Sequence, residues 1–233
     1  MLQDTNYDSF AEAYSTENES SLINAFYERP AVLDLVGDAR NRRILDAGCG
    51  SGPLTEALGS RGAIMTGFDA SKEMIRLARQ RLGDEADLSV ADLAQPLPFE
   101  DDRFDDVVAS LVFHYLPDWV SPLKEIRRVL RPGGRLIMSV NHPLLYPLTN
   151  PGKGYFNLTK YSDEHTFNGQ PGTLTYWHRP LHAMTDAFSK AGFHIETVSE
   201  PPYSADAPAE IIPPQFKDRD SFLSFIFFAL RAQ

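Results

Sequence analysis

The chain has 233 residues, of which 42% are hydrophobic and 23% are charged, and its formal net charge is −10 at pH 7. This length suits one large α/β domain with or without an added cap, and the composition excludes general disorder. An acidic surface repels phosphate backbones and anionic lipids, and the one basic concentration, at residues 127–135, lies at a predicted helix end. We therefore expect no nucleic acid and no membrane as partners.

The N-terminus and the cysteine content point to the cytoplasm. Residues 1–6 show neither the basic start nor the apolar run of a secretion signal. The most apolar stretch, residues 222–230, is far shorter than the roughly 20 residues that span a bilayer. Cys49 is the only cysteine, which excludes an intrachain disulfide and a cysteine-based zinc site. We interpret it as a small buried residue.

Residues 1–40 are predicted to be helical. Apolar residues recur at helical spacing over residues 22–27, and Pro30 then admits a second helical segment. From Arg43 onward, short apolar runs alternate with amphipathic stretches. This alternation indicates βα units and a parallel sheet.

Five strands and three helices are predicted in this part of the chain. The strands are expected at residues 44–47, 64–68, 88–91, 107–111 and 136–140, and the helices at residues 54–60, 72–82 and 120–130. Right-handed crossovers would gather the carboxyl ends of the strands on one edge, where open α/β sheets bind ligands.

The pattern breaks after residue 140. Residues 141–178 contain Gly, Pro and many aromatic residues, and we interpret them as an insertion with its own shape. A helix is then predicted at residues 180–190, with Gly192 as the residue that ends it. A strand at residues 193–198, a proline-rich stretch and a last strand at residues 222–230 complete the chain.

A glycine-rich turn follows the first predicted strand, which ends at Asp46. Gly48, Gly50 and Gly52 let the backbone turn sharply and approach a ligand without a Cβ. The next helix offers free N–H groups and a positive dipole end. A dinucleotide turn requires a third glycine where this chain has Pro53, and no Gly-Lys-Ser/Thr of a phosphate loop follows. The turn therefore predicts a nucleotide-like ligand without a pyrophosphate.

Acidic residues also end the next two strands. Asp69 is placed to accept the hydroxyls of a ribose, although it could instead cap the following helix. Asp92 could accept from an adenine amine while Leu93 covers the ring. Together with Asp46, these acids describe a pocket for an adenosine that carries an amino group.

Several motifs at these positions resemble the class I S-adenosylmethionine-dependent methyltransferases, specifically the small-molecule enzymes of the methyltransferase-11 type. Ile-Leu-Asp-Ala-Gly-Cys-Gly-Ser-Gly at residues 44–52 resembles the first motif of that family. Asp69, Asp92-Leu93 before Pro-Leu-Pro-Phe, Phe-Asp-Asp-Val-Val at 104–108 and Leu-Arg-Pro-Gly-Gly-Arg-Leu at 130–136 follow at the family's intervals. The resemblance is strong over residues 40–140.

The resemblance implies a Rossmann-like, seven-stranded, mostly parallel α/β sheet with an antiparallel last strand and helices on both faces. It divides the chain into an N-terminal helical lid (1–40), a cofactor-binding core (41–140), an acceptor-binding cap (141–179) and the C-terminal part of the core (180–233). It implies methyl transfer from S-adenosylmethionine to an O, N or C atom of a small aromatic or apolar metabolite, with S-adenosylhomocysteine as product.

The resemblance also implies site residues. Asp46 would lie near the methionine amine of the cofactor, and Tyr14, in the lid, near its carboxylate. The full predicted cofactor set is Tyr14, Asp46, Ala47, Gly48, Gly50, Asp69, Ala70, Met74, Asp92, Leu93, Ser110 and Leu111.

The residues that bind the methyl acceptor, and the base that takes its proton, are predicted from their position and chemistry. Aromatic side chains of the cap suit a planar acceptor, and Arg179 could pair an acceptor carboxylate or equally an internal acid. The predicted acceptor set is Tyr115, Tyr146, Trp177, His178 and Arg179. His114 and His142 follow predicted strands on the ligand edge, so either could be a catalytic base or a structural residue.

Acids at residues 100–102, with Asp105 and Asp106, are interpreted as a solvated loop, and we expect no metal site. Two rival functions stay open. One is a non-methylating relative that keeps the cofactor as a structural group or ligand. The other is a dinucleotide-dependent oxidoreductase, which Pro53 disfavours. The acceptor and the choice between monomer and homodimer stay undetermined.

Overall fold

The structure is a computed structural model that describes residues 7–219 and 221–233. Residues 1–6, where the sequence predicts the start of the lid and no secretion signal, lie outside the described residues. No helix in the described part of the chain combines the length and the hydrophobicity that a bilayer crossing needs.

The N-terminal segment is helical, with one π-helical turn. A 3₁₀ turn at Tyr7–Ser9 precedes α1 (Ala11–Ser20), and the π-helical turn at Asn24–Glu28 leads directly into α2 (Arg29–Val36).

Pro30 does not separate two helices, because it lies inside this continuous segment. It has no N–H to donate to the carbonyl of Phe26 in the preceding turn. That carbonyl accepts instead from the Ser204 N–H at 2.5 Å. The second helical segment expected at Pro30 is α2, which has Pro30 in its first turn and follows the π-helical turn without a break.

The strands and helices from residue 43 onward are β1 (Arg43–Ala47), α3 (Pro53–Ser60), β2 (Ile64–Asp69), α4 (Lys72–Leu82), β3 (Asp87–Val90), β4 (Phe104–Ser110), α5 (Val120–Val129), β5 (Leu130–Asn141), α6 (Leu145–Thr149), β6 (Thr159–Phe167), β7 (Gln170–His178), α7 (Leu181–Lys190), β8 (Phe193–Ser199) and β9 (Phe225–Ala232). Those that were predicted occur close to their expected positions, and the structure adds α6, β6 and β7, for which no element was predicted. Gly192 follows α7 with a φ of +82°, as expected of a residue that ends a helix.

The main sheet has seven strands in the order β3-β2-β1-β4-β5-β9-β8. The pairs among β3, β2, β1, β4 and β5 are parallel, and β9 runs antiparallel to both of its neighbours. This confirms the Rossmann-like arrangement with an antiparallel last strand. The strand order reverses between β1 and β4, which makes the carboxyl ends of these two strands the switch point of the sheet.

Apolar cores cover both faces of the sheet. On one face, Val32 of α2 and Leu58 of α3 pack with Phe227 of β9. On the other, Leu123 of α5 and Phe188 of α7 pack with Phe228. Because neighbouring residues of β9 are buried in opposite cores, the sequence of this strand is a continuous apolar run.

Residues 141–179 contain α6 and a separate two-stranded sheet of β6 and β7. Asn168 and Gly169 join the two strands with φ of +44° and +84°, the pattern of a tight hairpin turn. Phe167 of the hairpin stacks on Phe10 at 5.3 Å, so the hairpin packs against the N-terminal segment.

Asp105 and Asp106 are part of β4 and are not in a solvated loop, so that interpretation is wrong for both. Asp106 is fully buried and accepts from Arg42 Nε at 2.5 Å and Arg135 Nε at 2.9 Å. Burial by itself raises the pKa of Asp106, but the hydrogen bonds from the two arginines outweigh it and hold the pKa below its ordinary value. Asp105 accepts from the Arg43 N–H at 2.7 Å.

Replacing Asp106 with Asn should destabilise the fold by about 3 kcal/mol, because a buried ion pair loses one partner. Since the folded-state pKa of Asp106 is lowered, its contribution is present above the ordinary Asp pKa and is lost as the pH falls through the folded-state value. Urea unfolding of both proteins at several pH values measures this. The matched control is Asp101→Asn, which removes an exposed partner of Arg128 and should cost less than about 1 kcal/mol. Equal losses for the two variants would contradict the prediction.

Candidate active site

A cavity that opens to solvent lies at the carboxyl ends of β1, β2 and β4. Asp46, Asp69 and Ser110 line it from the strand ends, while Tyr7 and Tyr14 line it from the N-terminal segment. The cavity therefore occupies the switch point, where open α/β sheets bind their ligands.

The glycine turn after β1 is held against the end of β2. Gly48 adopts a φ of +78°, and a Cβ placed on it would lie 2.8 Å from Val112 Cγ2. The N–H groups of Gly48 and Cys49 both donate to the Phe68 carbonyl, at 2.8 and 2.9 Å. Only a residue without a side chain fits position 48. Gly48 itself lines the cavity, so the turn forms part of the cavity wall. Cys49 is buried, as expected, and burial raises the pKa of its thiol.

Asp46 offers the cavity a carboxylate oxygen that the protein does not use. Its Oδ2 accepts from Thr55 Oγ1 at 2.6 Å, while its buried Oδ1 has no hydrogen-bond partner among the described residues. Burial raises the pKa of Asp46 to about 7. A buried polar atom without a partner is costly, so this oxygen indicates a place for a donor group of a ligand.

Asp69 is fixed by backbone donors. Its Oδ2 accepts from the Gly50 N–H and its Oδ1 from the Ser71 N–H, both at 2.9 Å. Ser71, and not Asp69, is the cap of α4, because its hydroxyl accepts from the Met74 N–H at 3.0 Å. Burial raises the pKa of Asp69. Each carboxylate oxygen keeps a further lone pair with which to accept from ligand hydroxyls.

The π-helical turn brings Glu28 and Arg29 to the same cavity. Glu28 Oε1 accepts from Ser110 Oγ at 2.7 Å and from Ser139 Oγ at 2.6 Å. Arg29 Nη2 donates to the backbone and side-chain oxygens of Asn18. Among the described residues that line the cavity, Arg29 is the only one with a cationic side chain. Sequence reasoning missed both residues, because nothing in the apolar spacing of the helix marks the wider turn.

Three tyrosines form an aromatic wall. The hydroxyls of Tyr7 and Tyr115 are hydrogen-bonded at 2.5 Å, and the Tyr7 ring lies edge-on to Tyr14 at 5.0 Å. Tyr115 stacks on Tyr176 of the hairpin at 5.4 Å. Burial raises the pKa of Tyr7 and of Tyr115 well above the ordinary value, so both phenols are neutral.

Residues 45–138 match a family model described as a methyltransferase domain. The chain carries a class I methyltransferase domain. The cofactor of this domain type is S-adenosylmethionine, which sets aside the dinucleotide-dependent oxidoreductase. Its fold and glycine turn agree with this assignment.

A relative and two solved structures illustrate the similarity. A demethylmenaquinone methyltransferase of Lactococcus lactis is 37% identical over 125 residues, which are 50% of this chain and 49% of that protein. The chain thus spans about half the length of the curated relatives it matches. A structure described as a putative S-adenosylmethionine-dependent methyltransferase from Listeria monocytogenes shares the fold with a TM-score of 0.73 and 22% identity, covering 88% of this chain and 96% of that one. The [4+2]-cyclase SpnF also shares it, with a TM-score of 0.65, 19% identity and coverages of 97% and 94%.

The structure brings most of the predicted cofactor residues of the methyltransferase domain to the cavity. Those that line it are Tyr14, Asp46, Gly48, Gly50, Asp69, Met74, Ser110 and Leu111. Leu111 adopts a φ of +52°, a conformation that is rare for a residue with a side chain and is often found at functional sites.

Four predicted cofactor residues do not line the cavity. Ala47 and Leu93 are buried in the core on the α5 face of the sheet. Ala70 follows β2, and Asp92 accepts from the Ala94 N–H at 2.9 Å. The cavity lies at the ends of β1, β2 and β4, so Asp92 and Leu93, which follow β3, fall outside its lining.

Neither predicted catalytic histidine lines the cavity. Buried His114 accepts from the Asn141 N–H through Nδ1 at 3.1 Å, and burial lowers its pKa to about 3. His142 accepts from the Leu144 N–H through Nδ1, so its Nε2 is the protonated nitrogen and donates to Glu200 Oε1 at 2.8 Å. Both rings are thus used within the protein.

Of the predicted acceptor residues, Tyr115 lines the cavity and the others lie within the cap or beside it. Tyr146 stacks on His178 at 5.0 Å, and His178 Nε2 bonds the Tyr155 carbonyl at 2.7 Å. Trp177 is half-buried opposite Lys160 in the hairpin. Arg179 donates to the Pro117 carbonyl at 2.7 Å and lies over the Trp119 ring.

The pH dependence of stability should report the burial of His114. Because its folded-state pKa is lowered to about 3, its contribution is fully present above about pH 6.5 and is lost as the pH falls toward the folded-state value. His114→Asn keeps a hydrogen-bond acceptor for Asn141 and should flatten this slope by up to about 1.4 kcal/mol per pH unit. Chemical unfolding across that range is the measurement, with exposed His182→Asn as control. A slope unchanged by His114→Asn would disprove the assignment.

Proposed function

We propose that this protein transfers the methyl group of S-adenosylmethionine to an O, N or C atom of a small, planar or apolar acceptor. The observation that carries the proposal is the charge pattern of the cavity. Carboxyl groups of Glu28, Asp46 and Asp69 line it together with one guanidinium, that of Arg29. S-adenosylmethionine bears an ammonium, a sulfonium, ribose hydroxyls and one carboxylate, which these groups complement.

Asp46, Asp69 and Arg29 each have a partner on the cofactor in this proposal. The unpartnered Asp46 Oδ1 would accept from the ammonium, and Asp69 would accept from the ribose hydroxyls. Arg29 would bind the carboxylate, a role that the sequence assigned to the neighbouring Tyr14. The bound cofactor supplies an electrophilic methyl group. The protein supplies alignment and exclusion of water, and alignment of this kind is worth about 7–11 kcal/mol.

The acceptor is proposed to lie against the wall of Tyr7 and Tyr115. Both phenols are neutral and buried, so this wall suits an uncharged, planar molecule. The name of the Lactococcus lactis relative supports the same class, since it specifies a quinone. Tyr146 and Trp177 would then influence acceptor binding only indirectly, through their packing within the cap.

A second candidate is a protein that binds the cofactor and catalyses another reaction. One observation favours it, namely that a [4+2]-cyclase shares the fold over 97% of this chain. The two candidates predict the same cofactor affinity and differ in whether S-adenosylhomocysteine accumulates.

Binding of S-adenosylmethionine and S-adenosylhomocysteine should depend on Asp69. Asp69→Asn removes the charge that would accept the ribose hydroxyls, so both affinities should fall by about 10- to 100-fold. Isothermal titration calorimetry on the folded variants measures this. Asp101→Asn, at an exposed carboxylate outside the cavity lining, is the control and should bind as the wild type does. An unchanged affinity of Asp69→Asn would refute the ribose role.

Methyl transfer itself is tested with isotopically labelled cofactor. The protein is incubated with reduced demethylmenaquinone or with a metabolite extract, and mass spectrometry follows the products. We expect labelled product heavier by one CH₂ group and an equal amount of S-adenosylhomocysteine. Tight cofactor binding without S-adenosylhomocysteine from any acceptor would instead support the second candidate.

A further inference from the structure

Glu28 lines the cavity, but the proposed function assigns no individual atom of the cofactor to its carboxyl group. It is buried in the cavity wall, where hydroxyls from the ends of β4 and β5 both donate to its Oε1. Its Oε2 accepts no hydrogen bond from residues 7–219 or 221–233. The structure therefore fixes one oxygen and leaves the other available at the cavity.

Its placement is energetically unfavourable in the free protein. The hydrogen-bond partners of Glu28 are the neutral hydroxyls of Ser110 and Ser139, although buried carboxylates usually pair with a cation. The charged or titratable groups that act on it are Arg29 from its own segment, Asp46 from β1 and Tyr14 from α1. Arg29 bonds Asn18 and not Glu28. Burial therefore raises the pKa of Glu28.

The π-helical turn is what directs Glu28 inward. The turn covers Asn24–Glu28, so Glu28 is its last residue and, with Tyr27, one of its two buried residues. Such wide turns occur frequently at functional sites. An acid on the buried side of a helix costs stability and is expected where function requires it.

We propose that Glu28 is the proton acceptor of the methyl transfer, a step that rests on the proposed function. The acceptor atom uses its electron pair to form the bond to the methyl carbon, and the sulfur–carbon bond breaks with its electron pair kept by sulfur. The proton of the acceptor O–H, N–H or C–H moves to Glu28 Oε2. The carboxylate becomes a carboxylic acid, so charge and atoms balance.

The charge of the cavity changes in the direction that favours this proton transfer. A sulfonium in the cavity stabilises the carboxylate of Glu28 before the reaction. After methyl loss the sulfur is neutral, and burial together with Asp46 favours the protonated acid. The two histidines predicted as bases lie outside the cavity lining, which leaves the proton to a cavity carboxyl.

Proton linkage in calorimetry tests this without a known acceptor. The two ligands S-adenosylmethionine and S-adenosylhomocysteine differ by a methyl group and one positive charge. Binding is measured in buffers of different ionisation enthalpy from about pH 5 to about pH 8, which gives the protons released. The wild-type protein should release more protons with S-adenosylmethionine than with S-adenosylhomocysteine. Glu28→Gln should abolish the difference, whereas the control Asp101→Asn, at an exposed carboxylate outside the cavity lining, should keep it.

The outcomes separate the two proposals. If neither ligand binds, the proposed function fails. If both bind with equal proton release by the wild type, or if Glu28→Gln keeps the difference, the role of Glu28 is overturned while the proposed function stands. Glu28→Gln should be at least as stable as the wild type, because a buried amide costs less than a buried acid.

A kinetic readout applies once an acceptor is identified. Glu28→Gln should lower kcat by about 100-fold with little change in the KM for S-adenosylmethionine. The kcat of the wild type should rise with pH through the pKa of Glu28, and that of the variant should not. A variant with wild-type kcat across the pH range would overturn the proposal.

Discussion

The reversal of strand order between β1 and β4 is the constraint on which the site depends. α3 leaves β1 toward one face of the sheet, and α5 follows β4 on the other, so the two connections diverge. The gap between them exposes the carboxyl ends of both strands. The N-terminal segment and the hairpin cover this gap, and the cavity is the space that they leave unfilled.

Covering the gap places carboxyl groups in a medium that disfavours their charge. Burial raises the pKa of Glu28, Asp46 and Asp69 alike, and each relies on neutral donors instead of a cation. Asp106, 64 residues from Arg42 in the chain, is the opposite case, since two guanidinium groups neutralise it. A buried carboxylate that is paired with arginine thus has a structural role, whereas one without a cationic partner is available to bind a ligand.

Much of the fold followed from the periodicity of apolar residues. The strands, the glycine turn and α4, with the predicted bounds of residues 72–82, depend on local patterns that the sequence displays directly. The Asn-Gly turn at residues 168–169 was an equally local indication of a hairpin that the interpretation of the cap did not use.

The parts of the site that were missed depend on geometry that no local pattern records. Glu28 has the spacing of a helical residue, and only the π-helical turn directs it to the cavity. His114 and His142 do follow strand ends, but the position of a residue after a strand does not determine where its ring points. Asp105 and Asp106 resembled a surface run because their arginine partners are distant in the chain.

The position of β9 has a consequence for synthesis on the ribosome. This strand is the last of the main sheet in sequence order, yet it lies between β5 and β8 and contributes to both cores. Until it emerges from the exit tunnel, β5 and β8 each present a strand edge with unpaired backbone groups to other nascent chains. The nascent protein therefore completes its sheet only once β9 has been made, and its exposure to aggregation lasts as long as the segments before β9 take to be made.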